Sequence, residues 1–313
     1  MRVALDAMGG DFAPEATVEG VQLTLETLSD EDQLVLIGDH TVIEEQLTRC
    51  GISSSQVEVV HADEAIGMNE HPTKAFSQKP GSSIGIGFKL LQEGSIDAFC
   101  GAGNTGAMHV GAMFTVKPCD GIIRPAIAGF APRENGSFGV ILDVGANADV
   151  KPEMLAQFGE IGSLYAKHVF DIPEPKVALI NIGEEEQKGT VVAQAAYQLL
   201  KENDRVNFIG NIEGRDIFSA QSDVMVCNGY VGNVILKMAE SIYDLLHKRH
   251  MSDPFFDNLN YEAIGGSPIL GINGNVAIGH GVSSGLAIKN MLLQAMRMAK
   301  TNIHLKIRDA FGK

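Results

Sequence analysis

Cysteine is sparse in this sequence, and nothing pairs it. Cys50, Cys100, Cys119 and Cys227 are scattered with no Cys-x-x-Cys spacing, which excludes a disulfide framework and a zinc site and points to a reduced, cytosolic compartment. Histidines and carboxylates do not cluster at ligand spacing either, so no metal is expected. No apolar run approaches the ~20 residues needed to span a bilayer. The chain enters an apolar segment at once, Val3-Ala4-Leu5, without a secretory leader pattern. A soluble intracellular protein is expected, still able to touch a membrane surface. Positive charge is also short: 24 Lys and Arg against 39 Asp and Glu give a net charge of −15, which argues against nucleic-acid binding. No G-x-x-x-x-G-K-[ST] loop is present, so nucleotide phosphoryl transfer loses its main support.

What is abundant is glycine, with 35 residues clustered in loops rather than repeating. Its length of 313 residues suits two domains or one two-lobed unit. Short apolar runs at 2–5, 34–37, 57–60, 98–100, 124–128, 140–142, 177–180, 206–209, 224–226 and 276–278 alternate with helical periodicity. That alternation predicts an α/β fold: a three-layer α/β/α arrangement around a mostly parallel sheet. Ligands bind such sheets beyond the carboxyl ends of the strands, where the Gly/Asn loops of this chain fall. Regular periodicity stops over 61–82, a long polar segment with His71, Lys74 and Lys79, and again after 250, in an irregular stretch with Phe255, Phe256 and Tyr261 that ends in a Gly265-Gly266-Ser267-Pro268 turn.

The stretch 223–237 carries the clearest local pattern. An apolar run, 224–226, feeds a loop with Gly229 and Gly232, and Asn233 stands where the N-cap of a helix belongs. Unpaired first-turn N–H groups there would cradle an anion, and Lys237 lies one turn further on. An ordinary strand–helix turn is the bland alternative. The segment 101–106 fits G-x-G-x-x-G, but Asp120 sits in a turn rather than closing a second strand, so the loop reads as an anion or carbonyl site. Of two G-x-S-x-G matches, 81–85 has no strand before it; 281–285 has the strand and helix context that keeps Ser283 in play, but only His304 and Asp309 follow it, in reversed order, so a serine nucleophile is not expected. Lys188 follows three glutamates at a strand–helix junction, where a cation opposes the helix dipole unless it faces an anionic ligand. Arg124 and Arg215 are similar candidates, each with a salt-bridge alternative.

Taken in order, Asp6-Ala-Met-Gly-Gly-Asp11, Ala102-Gly-Asn-Thr-Gly106, Arg124-Pro-Ala126, Asp143-Val-Gly-Ala-Asn147, Asn181-Ile-Gly-Glu184 with Lys188-Gly189, Asn207 to Asp216, Gly229 to Lys237 and His280-Gly281 closely resemble the bacterial phosphate acyltransferase (PlsX) family over the full length. The resemblance implies an isocitrate/isopropylmalate dehydrogenase-like fold, with 1–313 as a single two-lobed unit. It implies conversion of acyl-[acyl carrier protein] and inorganic phosphate to acyl phosphate and free carrier protein, without a cofactor. It further implies a homodimer at the cytoplasmic membrane face, beside the glycerol-3-phosphate acyltransferase that consumes the product. Two positions depart from the usual pattern: Gly101 where Ser is common, and Asn228 where Asp is common, a change that removes a charge.

On that resemblance Lys188, Asn233 and His280 are the candidate catalytic groups. Asp6, Asn104, Thr105, Gly106, Arg124, Asn147, Asn181, Asn211, Arg215, Asn228, Gly229, Gly232 and Lys237 are the candidate phosphate- and substrate-binding positions. The carrier protein is acidic, and the C-terminal segment offers Lys289, Arg297 and Lys300, followed by Lys306, Arg308 and Lys313; a solvated helix face is the alternative. The region 237–265, with Leu245, Leu246, Phe255 and Phe256, is the candidate dimer or membrane contact. A CoA-linked phosphotransacylase, a nicotinamide-dependent dehydrogenase on the same fold and a non-catalytic sensor remain open alternatives.

Overall fold

A computed structural model describes residues 1–312; Lys313, the last residue of the basic tail, lies outside them. In chain order the elements are β1 (Arg2–Asp6), α1 (Glu15–Leu25), β2 (Gln33–Gly38), α2 (His40–Arg49), β3 (Val57–His61), α3 (Pro72–Gln78), α4 (Ser83–Gln92), β4 (Ala98–Gly101) and α5 (Thr105–Gly111), which runs into a π-helical turn at Ala112–Val116. Next come β5 (Ala126–Pro132), β6 (Phe138–Leu142), α6 (Pro152–Val169), β7 (Lys176–Ile180), α7 (Val191–Lys201), β8 (Asn207–Ile212), β9 (Val224–Val226), α8 (Gly229–Lys248) and α9 (Pro254–Asp257). The last elements are α10 (Tyr261–Ile264), β10 (Ser267–Leu270), β11 (Asn275–Ile278), α11 (Gly285–Thr301) and α12 (Ile303–Phe311).

The chain forms two compact units. The first holds Met1–Cys119 and Tyr261–Leu305, the second Asp120–Asn260 and 306–312. Strands of the first unit run in the order β3-β2-β1-β4-β11-β10, parallel apart from the β10–β11 hairpin. Those of the second run β5-β6-β9-β7-β8, parallel apart from β5 against β6. The central strands are buried throughout, as in Val3, Leu5, Val35, Leu36 and Phe99 in one unit and Val140, Leu142, Val177, Val224 and Val226 in the other. That double-sided burial is why they read as continuous apolar runs rather than alternating ones. Each fully covered Val, Leu or Phe contributes about 1.5–3 kcal/mol relative to exposure.

Helix starts follow elementary capping chemistry. Asp39 accepts from the Val42 amide at 3.1 Å, Thr190 from that of Ala193 at 3.1 Å, and Ser82 from that of Gly85 at 3.2 Å. Several elements lie where the sequence pattern does not place them, α9 and α10 in the irregular stretch after 250 among them. A short helix, α3, forms inside the polar segment 61–82, started by Pro72 in its first turn. The Ser267-Pro268 turn is instead the start of β10, with Pro268 in register with Ala277. The tail folds as α12.

Candidate active site

The loops that the sequence singled out converge, within each unit, on the carboxyl ends of its parallel strands. In the first unit, Asp6 closes β1 with its carboxylate almost wholly buried. Burial pushes its pKa up to about 6, against the opposing effect of the Ser83 side chain and the Met8 and Gly9 amides. Asn104 caps α5 by accepting from the Ala107 amide at 3.0 Å, and its Nδ2 donates toward the carbonyls of Gly67, Met68 and Glu70. It therefore braces the 67–70 loop, and its donors are not available to phosphate or an oxyanion. Gly106 is explained by packing: a Cβ there would meet Pro72 Cγ at 2.3 Å. Thr105, the first residue of α5, is exposed. His280 is exposed at the end of β11, its ring 5.3 Å from that of Tyr261. Ser283, centre of the second G-x-S-x-G match, gives its hydroxyl to the His280 carbonyl at 2.6 Å and is no nucleophile.

The second unit corrects the reading of 223–237. α8 starts at Gly229, capped by Asn228, whose Oδ1 accepts from the Val231 amide at 2.9 Å. Asn233 is thus inside the helix rather than its cap; it is exposed, with Oδ1 facing Gly145. The expected cradle is also closed. The Gly229 amide donates to the Asn147 carbonyl at 2.7 Å and that of Gly232 to the Asn228 carbonyl at 3.0 Å. A Cβ at Gly232 would stand 2.0 Å from the Asp143 carbonyl oxygen, and one at Gly229 would stand 2.7 Å from Asp143 Oδ2. Both glycines admit the 143–147 loop onto the helix end, where an anion had been expected.

Asp143, a residue that the sequence reading does not single out, organises that loop. Fully buried, it accepts from the amides of Ile127, Ala146 and Asn147 and from Asn147 Nδ2 at 2.6–3.2 Å. Burial raises its pKa against those four donors. Its signal was an Asx-rich turn directly after an apolar run. Asn147 also donates to the Pro125 carbonyl at 2.9 Å, which holds the Arg124-Pro125 corner beside the end of β6.

Around Lys188 the amides again act as braces. Asn181 Nδ2 donates to the Lys188 carbonyl at 3.1 Å, and Asn211 Nδ2 donates to the Glu185 carbonyl at 2.9 Å. The Lys188 amide in turn donates to Glu185 at 3.0 Å. Lys188 itself is exposed in the turn before α7. Two of the expected cations are engaged elsewhere: Arg215 with Glu213 at 2.9 Å and Glu184 at 3.4 Å, and Lys237 with Glu240 at 2.7 Å. Arg124 and Lys188, both exposed, form no ion pair among the described residues. No group of metal-ligating side chains occurs among the described residues.

Comparison with known proteins bears on the family and the fold. The model of the family described as "Fatty acid synthesis protein" matches residues 1–306. The phosphate acyltransferase of Dictyoglomus turgidum is 42% identical, covering 100% of this chain and 98% of its own. That of Pelotomaculum thermopropionicum is also 42% identical, with 99% and 93% covered. Among solved structures, a Streptococcus pyogenes phosphotransacetylase has a TM-score of 0.69 at 16% identity, covering 95% of this chain and 94% of its own. A Klebsiella pneumoniae 4-hydroxythreonine-4-phosphate dehydrogenase has a TM-score of 0.58 at 12% identity, covering 96% and 98%. These two share the α/β fold, with its dehydrogenase-like architecture. With a family match and relatives that both run nearly end to end, the chain belongs to the fatty acid synthesis protein family, among relatives named phosphate acyltransferases.

Proposed function

We propose that this enzyme transfers the acyl group of an acyl-[acyl carrier protein] to inorganic phosphate, releasing acyl phosphate and free carrier protein for phospholipid synthesis. The observation that carries the site assignment is the pair of unengaged cations, Arg124 and Lys188, at the carboxyl ends of one parallel sheet. At that edge Arg215 is held by Glu213 and Glu184, and a phosphate suits two cations that have no such partners among the described residues.

Chemistry at this site needs no covalent intermediate. A thioester is already activated, so a phosphate oxygen attacks the carbonyl carbon, the C–S bond breaks and the thiolate leaves. With an unperturbed thiol pKa near ~8.5 the leaving group needs little acid help. The enzyme must hold phosphate against the carbonyl and stabilise the developing oxyanion. Lys188 and Arg124 hold phosphate; Asn233, whose side chain is exposed beside Gly145, is the neutral donor of the set. The acidic carrier protein is assigned to α11, where Lys289 and Lys300 lie three turns apart on one face with the exposed Arg297 nearby. Homodimer formation and contact with the inner membrane face, beside the glycerol-3-phosphate acyltransferase, are assigned to α8 and α9. Leu245 and Phe256 are exposed there, whereas Leu246 and Phe255 are half-buried, Phe255 against Phe218 at 6.0 Å between ring centroids. No helix among the described residues is long and apolar enough to cross a membrane.

The test is phosphate-dependent release of free thiol from acyl carrier protein, with acyl-CoA as the competing donor. Lys188→Ala and Arg124→Ala should each lower turnover by ~10²–10³ and raise the KM for phosphate. Near-normal turnover of Lys188→Ala would remove it from the site, and a preference for acyl-CoA would reassign the donor.

A further inference from the structure

The loop that carries Lys188 also carries the two most exposed large apolar side chains among the described residues: Ile182, 80% exposed, and Val191, 83% exposed. Neither position is explained by folding. Ile182 lies two residues past the end of β7 and Val191 is the first residue of α7, so each sits where a polar residue would serve the backbone equally well and cost nothing in water. The exposure is not that of a frayed segment. Asn181 Oδ1 accepts from the Ile182 amide at 2.9 Å, while Asn181 Nδ2 ties the other end of the loop at Lys188. Gln194 Nε2 donates to the Gln187 carbonyl at 2.8 Å, and Thr190 caps the helix that Val191 begins. The stem of Lys188 folds over Gly183, the neighbour of Ile182, with Cγ 3.0 Å from where a Cβ would stand. A braced loop thus carries one exposed cation with an exposed apolar residue before it and another after it along the chain. Two of its three glutamates are engaged, Glu184 by Arg215 and Glu186 by Lys201.

That pattern matches an amphiphile with an anionic head and a fatty chain. We propose that Ile182 and Val191 are the acyl-chain contacts of the Lys188 loop: the head of an acyl phosphate lies on the ammonium and the first part of its chain lies along the two apolar flanks. The assignment rests on the reading of Lys188 as a phosphate ligand. It makes this loop a determinant of chain-length preference, because a short acyl group covers little of either side chain whereas a long one covers both.

The sequence has no tryptophan, so a single introduced indole reports on this loop alone. In the full-length Ile182→Trp protein, dodecyl phosphate below its micelle concentration should blue-shift the emission saturably; inorganic phosphate should not, and adding Lys188→Ala should abolish the response. In turnover, Ile182→Ser with Val191→Ser should reduce the advantage of a long-chain over a short-chain acyl thioester, as the ratio of kcat/KM values, by about tenfold. An unchanged ratio together with no spectral shift overturns the proposal. A shift produced by anionic vesicles but not by dodecyl phosphate overturns it in favour of a membrane contact, and a shift on raising protein concentration alone overturns it in favour of a second copy of the chain. The fluorescence arm does not depend on turnover. Saturable alkyl phosphate binding by a protein without phosphate-dependent thiol release would sink the acyl-transfer reading and leave the apolar flanks standing.

Discussion

Asp6 shows how much of this edge is set by single buried groups. Its carboxylate sits at the end of β1 in the interior of the first unit, and burial lifts its pKa from the ordinary 3.8 to about 6. Between those pH values the native protein holds a proton that the unfolded chain has released. Stability contributed by Asp6 is therefore complete below 3.8, falls as pH rises and is lost above about 6. Asp6→Asn removes that titration. The stability of wild type minus that of Asp6→Asn should decline across this window by at most roughly 3 kcal/mol, read from denaturant unfolding at a series of pH values; a flat difference would contradict the buried proton. At this scale the sequence located residues better than roles. Asn104, Asn147 and Asn181 do lie in the loops at the strand ends, as their motifs implied, and Asn211 lies in the last part of β8. Each, however, spends donors on backbone carbonyls. An amide can satisfy a neighbouring turn or a ligand with the same atoms, and only tertiary placement decides between them.

α8 is the element whose start decides how the second unit's edge works. Two asparagines five positions apart, Asn228 and Asn233, both suit an N-cap by residue type, and the apolar pattern beyond them fits either start. The tie is broken by packing: the close approach of the 143–147 loop to Gly229 and Gly232 is possible only if these glycines lie in the first helical turn. The choice also gives Asn228 a role that Asp would fill as well, since a carboxylate oxygen can accept from the Val231 amide and favours the positive end of the helix dipole. Asn228→Asp should leave unfolding stability unchanged or slightly raised, whereas Asn228→Ala should cost about 1 kcal/mol; chemical denaturation of the three proteins separates these outcomes. The same competition explains the other misplaced elements. Pro268 reads as a turn until β11 pairs with it, and the polar segment 61–82 hides a helix of only seven residues. Long, strongly periodic elements such as α6 and α11 were legible because their own burial pattern repeats.

At the scale of the whole chain, the alternation of apolar runs with helical periodicity was enough to give the α/β class, and the ordered Gly/Asn motifs gave the family. Where the fold divides was not legible, because each unit is assembled from two separate stretches of sequence and no linker-like composition marks the three crossings. What covers α8 is the remaining question at this scale. Of its twenty residues only Gly229, Gly232 and Ala239 are buried, and with Ile235 and Leu236 packed against the core of the second unit only part of this helix is covered within the chain. Its exposed apolar residues Val231, Val234, Met238 and Leu245 recur at spacings that fall on one face. A stripe of that length left in water favours self-association through like surfaces, as in a two-fold dimer. Leu245→Glu with Met238→Glu should therefore convert a dimer to a monomer in sedimentation at micromolar concentration while the far-ultraviolet spectrum stays that of the wild type. If the variant keeps the dimer mass but loses binding to anionic vesicles, the stripe belongs to the membrane and the two-fold contact lies on another face.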